Sequence, residues 1–139
     1  MKLRVLPLVI LSLSALAALV ACAPGGPGGD AGPGIEPKLS VIKQEILSPS
    51  CATAACHGGE NPANDLALDV EDLHGALVGV DSTLTGWKYV VAGEPENSLL
   101  LQILKGSVET VPQMPSGATL SAEKIQAIEE WIQDGAAND

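Results

Sequence analysis

The chain has 139 residues and a formal net charge of −10, from 17 acidic against 7 basic side chains. That balance argues against binding to nucleic-acid backbones and against an electrostatic hold on anionic lipid, and leaves solubility or a basic protein partner as its uses. With no Phe, two Trp and one Tyr, an aliphatic core of single-domain size is thin unless a large apolar group or a disulfide supplements it.

Lys2 and Arg4 precede an apolar run from Val5 to Leu19. The run is shorter than the ~20 residues a spanning helix needs and suits the hydrophobic region of an export signal. It stops at Leu19-Val20-Ala21-Cys22, which resembles the lipobox of bacterial lipoproteins. The resemblance implies removal of a signal peptide over 1–21 and lipidation of Cys22. The chain is then held at a membrane of the bacterial cell envelope, facing the periplasm or the exterior. The alternative is an ordinary signal cleaved nearby, with Cys22 a bystander. Residues 23–37 read APGGPGGDAGPGIEP, too rich in Gly and Pro and too poor in apolar side chains to pack, so 22–37 is predicted to be a tether. Residues 38–139 have the length of one domain and no internal repeat.

Within that domain the pattern is helical. Leu39, Val41, Ile42, Ile46 and Leu47 share one helix face, and Ser48-Pro49 is expected to end that helix. A second helix is expected over Val70 to Leu77, with Glu71 and Asp72 in its first turn, where carboxylates favour the helix dipole. Gly93-Glu-Pro95-Glu-Asn97-Ser98 offers turn and cap chemistry ahead of Leu99, Leu100, Leu101, Ile103 and Leu104, a third helix closed by Gly106. Ser121 is placed to cap a last helix on which Ile125, Ile128 and Ile132 recur at helical spacing beside Trp131, with Gly135 as terminator. The stretches 66–69 and 87–91 are compatible with extended chain, but no hairpin signature joins them.

The chemistry concentrates in Cys51-Ala-Thr-Ala-Ala-Cys56-His57-Gly-Gly and in Pro112-Gln-Met114-Pro115. Two thiols on a short turn can each add to a haem vinyl group, and the adjacent imidazole can ligate iron. Once Cys22 is lipidated, Cys51 and Cys56 are an even pair in an oxidising compartment, where both must be used together. A six-coordinate haem needs a second axial donor, and after signal removal the candidates are Met114, held between two prolines, and His74. Met114 would raise the reduction potential relative to a second histidine. The plainer readings are a methionine filling a core gap and a structural His74. Trp87 and Tyr89 are expected to be a packed aromatic pair rather than propionate ligands. Gly58 and Gly59 would let backbone pass close to a flat ring.

The leading helix, the Cys-His turn, the Gly-Glu-Pro-Glu-Asn-Ser helix start, the Met-Pro loop and the closing Leu120-Ser-Ala-Glu-Lys-Ile-x-x-Ile-x-x-Trp-Ile-x-x-Gly-Ala136 together resemble the small c-type cytochromes. They resemble in particular the cytochrome c-like envelope domains of planctomycetes and myxobacteria. The resemblance spans nearly the whole domain. It implies an all-α cytochrome c-like fold of about four helices, with terminal helices crossing over one covalent haem c. Cys51 and Cys56 would be attachment sites, with His57 and Met114 as iron ligands. One departure is that four residues separate the cysteines where most c-type sites have two. The function so implied is electron transfer with another envelope protein.

Two other readings stay open. One is a haem-free lipoprotein braced by a Cys51–Cys56 disulfide. The other is a copper site built from Cys51, Cys56, His57 and Met114. Enzymatic chemistry is not expected: there is no nucleophile motif, no histidine pair at zinc spacing and no phosphate loop.

Overall fold

A computed structural model describes residues 34–84 and 86–139. The predicted signal over 1–21, Cys22 and the tether up to residue 33 lie outside the described residues. Ile35, assigned to the tether from sequence, instead packs against the core.

The first helix, α1, runs over 39–50. Leu39–Ile42 is α-helical, Lys43–Leu47 is a π turn, and Ser48–Ser50 is helical again. Pro49 therefore does not end it, contrary to the sequence expectation. A proline removes an N–H and crowds the carbonyl one turn back, and the wider π turn just before Pro49 accommodates both. The start of α1 is capped from far away. Lys38 offers no side-chain cap, and Asp139 takes that place: its carboxylate accepts from Leu39 N at 3.0 Å and its carbonyl from Ser40 N at 2.9 Å.

The second helix, α2 (Leu73–Leu77), is shorter than the expected 70–77. Asp72 sits just outside it as the N-cap, accepting from Gly75 N at 2.9 Å. Helix α3 (Leu99–Lys105) and helix α4 (Ala122–Gln133) match the expected spans. Each is followed by a glycine at positive φ, Gly106 at 69° and Gly135 at 101°, a conformation that ends a helix at little cost only for glycine. The expected serine caps hold their positions but not their bonds. The Ser98 hydroxyl is fully buried and serves the preceding turn, donating to Glu94 O and accepting from Val91 N, both at 2.9 Å. Ser121 makes no side-chain cap bond.

Helices α1 and α4 pack against each other, as do α3 and α4. Ile42, Ile46, Leu47, Leu101, Ile128 and Ile132 are completely buried between them, and Trp131 is 1% exposed. Each such side chain contributes about 1.5–3 kcal/mol of apolar burial. The Trp131 indole N–H is satisfied by Ala137 O at 2.9 Å. The stretches read as extendable supply only two isolated bridges among the described residues, Val78 with Val90 and Asp81 with Lys88. The architecture is therefore all-α, with four helices in the described residues, which lie in one compact unit. No described helix is long and apolar enough to cross a membrane.

Candidate functional site

One flank of α3 opens onto a small apolar cleft with about 70 Å³ of enclosed space. Leu99, Leu100, Ile103 and Leu104 form one wall. Leu66, Leu68, Leu84, Tyr89 and Val111 continue it, with Asn64 and Ser82 as the polar exceptions. Three predicted site residues, Cys51, His57 and Met114, also line this cleft. They come from separate parts of the chain: the end of α1, the following turn and the loop before α4.

The four-residue gap between the cysteines closes as a folded turn. Cys51 N donates to Leu47 O at 2.8 Å, prolonging α1. His57 N then reaches back to Cys51 O at 3.0 Å, and Thr53 O accepts from both Cys56 N at 2.9 Å and Gly58 N at 3.0 Å. Gly58 is required by contact, since a Cβ there would collide with the Ala52 carbonyl. The turn brings Cys51 and His57 to the cleft and leaves Cys56 exposed. Both cysteines are free thiols. Burial, then the neighbouring Cys56, pushes the Cys51 thiol above its ordinary value of 9.0, because a thiolate is poorly stabilised away from water.

His57 is oriented by backbone alone. Its Nδ1 lies 3.1 Å from Ala63 O and 3.2 Å from Leu66 O. Carbonyl oxygens only accept, so Nδ1 is the donor in this geometry and Nε2 is the ring nitrogen not used by these two bonds. The two carbonyls converge because Asn64 and Asp65, between them, both adopt left-handed backbone with φ of 56° and 57°. Asn and Asp tolerate that region better than other non-glycine residues, but two in a row is a local cost held by the surrounding structure. An imidazole held through Nδ1 has the orientation in which histidine, when neutral, binds a metal through Nε2.

Met114 is half-buried at the cleft, its N–H bonded to Ile103 O at 3.3 Å. His74, the alternative ligand, is elsewhere: its Nε2 lies 2.9 Å from Ala136 O, and it does not line the cleft. It is a structural histidine joining α2 to the segment after α4. Of the two aromatic residues, Tyr89 is 9% exposed and lines the cleft, while Trp87 is 42% exposed. Among the described residues no three His, Cys, Asp or Glu side chains come together as a metal site, so the donor set required for copper is not assembled.

The chain matches no family model, no curated protein and no solved structure.

By residue type the lining offers groups that a haem would use. The walls are apolar, one imidazole is held through Nδ1, one thioether stands on the same cleft, and one thiol lies at its edge. The member of the predicted set outside the cleft lining is Cys56. Sequence reasoning missed the α3 wall and Asn64. A signal for the wall existed: Leu99 to Leu104 is apolar at every position but Gln102, too broad a stripe for a helix with one buried face.

Proposed function

We propose that this chain is a mono-haem c-type cytochrome, held at an envelope membrane through a lipidated Cys22, that carries single electrons between envelope redox proteins. The fold read this way is cytochrome c-like, with α1 and α4 as its packed terminal helices. One observation carries the reading: Cys51 and a Nδ1-anchored His57, from one turn, line the same apolar cleft as Met114, which lies far downstream in sequence.

Haem bound there would supply one-electron iron chemistry. Cys51 and Cys56 would hold it by adding their S–H groups across vinyl double bonds. His57 Nε2 and the Met114 sulfur would hold its iron. The two carbonyls on Nδ1 orient the imidazole and raise its basicity as a ligand. The leucine-rich walls would give a bound haem an apolar surrounding, which together with a thioether donor favours a higher reduction potential. The surface carboxylates make a basic partner protein the natural electron exchanger.

The test is production of the chain in a cell with haem-attachment machinery. The expected product carries one haem that survives denaturation and shows a reduced c-type spectrum. A natively matured chain with a Cys51–Cys56 cross-link and no added macrocycle would overturn the reading in favour of a disulfide-braced binding module.

A further inference from the structure

The loop that carries Met114 is fastened to the end of α3 by its neighbour. Gln113 Nε2 donates to Leu104 O at 2.9 Å, and Met114 N donates to Ile103 O at 3.3 Å. Both acceptors belong to the last turn of α3, where Ile103 O also accepts from Gly106 N at 3.1 Å. The loop thus completes the helix end, and the helix end fixes the loop. Gly106 makes room for this. Its φ of 69° turns the chain away from α3, and a Cβ on it would lie 3.1 Å from the Gln113 side-chain carbon and oxygen. Ile103 and Leu104, the two acceptor residues, also line the cleft.

We infer that Gln113 is a positioning residue, which holds the Met114 thioether on the cleft by tying its loop to the α3 C-terminus. The inference rests on the haem reading for its consequence, a stable thioether donor facing the cleft, but not for its geometry. Gln113 is exposed and contributes nothing to the core, so its amide is better explained by what it fastens. Proline at 112 and at 115 stiffens the loop internally. Neither proline links the loop to another element by a main-chain N–H, so the connection to α3 falls to Gln113 and the Met114 backbone. Losing the side-chain bond should lower the ratio of placed to displaced Met114 about fivefold, the effect of one ordinary hydrogen bond.

The test uses Gln113→Leu, which keeps the size and removes the donor, and Gln113→Lys, which restores a donor suited to a helix C-terminus. Helical circular dichroism establishes that each variant is folded. In the haem-loaded chain, Gln113→Leu should retain covalent haem, show the ratio of thioether-bound to thioether-free spectrum lowered about fivefold, and show a lower reduction potential. Gln113→Lys should recover both. In the haem-free chain Met114 is the one methionine left after signal removal, so its methyl gives a single NMR resonance. Cross-peaks from that methyl to cleft leucine methyls should weaken in Gln113→Leu and return in Gln113→Lys. If Gln113→Leu does not fold, Gln113→Lys carries the test, and a folded Gln113→Lys with displaced Met114 refutes the inference. Unchanged thioether signature and unchanged cross-peaks in a folded Gln113→Leu would also overturn it. Absence of covalent haem from the wild-type chain would sink the haem reading alone, and the haem-free NMR comparison would still decide the role of Gln113.

Discussion

Replacing Gly58 by alanine tests how tightly the cysteine turn is built. The added methyl meets the Ala52 carbonyl, which is main chain and cannot rotate away, so the turn must open between Thr53 O and Gly58 N, now 3.0 Å apart. Overpacking of this kind costs about 1–3 kcal/mol. At a central 2 kcal/mol and about 4–8 °C per kcal/mol for a domain of this size, the melting temperature of the haem-free chain should fall by roughly 8–16 °C. Gly59→Ala is the internal control. Gly59 has φ of 76° but its nearest neighbour to an added Cβ is 3.8 Å away, so only backbone strain of about 1 kcal/mol is incurred. Thermal unfolding by circular dichroism measures both variants. The ¹⁵N shifts of His57 report whether Nδ1 still holds the proton, which Gly58→Ala should disturb and Gly59→Ala should leave alone. If Gly58→Ala melts no lower than Gly59→Ala with the His57 tautomer intact, the account of this turn is wrong.

Met114→Ala should abolish the thioether signature and lower the reduction potential of the loaded protein, whereas His74→Ala should leave the spectrum unchanged and lower stability by about 1–3 kcal/mol by orphaning Ala136 O; the opposite pattern would move the ligand to His74. In the haem-free chain, alkylation should label the exposed Cys56 well before the buried Cys51, as mass spectrometry of timed samples would record. Because the folded-state pKa of Cys51 is raised, its contribution to stability is complete below about pH 9 and is lost as pH rises through the folded value. Urea midpoints should therefore fall above pH 9, and less steeply in Cys51→Ala. Ile128→Ala, at a fully buried position between α1 and α4, should cost about 2–5 kcal/mol in the same urea titration.

Helices α3 and α4 were legible because their cues are local: an apolar repeat of helical period, a turn before it and a glycine after it. The set Cys51, His57 and Met114 was legible because its chemistry is unusual enough to name residues one by one. Other features depend on partners that no local window contains. The cap on α1 comes from Asp139, 100 residues away. Pro49 reads as a stop and is carried through by a π turn set earlier in the helix. Ser98 has the composition of a cap, yet its buried hydroxyl is claimed by the 91–94 turn. The left-handed Asn64 and Asp65 lie in a segment whose composition reads as ordinary loop, and their purpose emerges only when both flanking carbonyls are seen on one imidazole.

The Asp139 cap also bears on how the molecule could be rebuilt. With its carbonyl 2.9 Å from Ser40 N, positions 38 and 139 are close enough for a few glycines to join, and fresh termini could be opened at the exposed Glu109–Thr110 bond. Such a circular permutant would place α1 and α4 in one continuous stretch while separating the Met114 loop from α3. Its melting behaviour would show whether those two elements assemble by themselves or need the chain to deliver them in its present order.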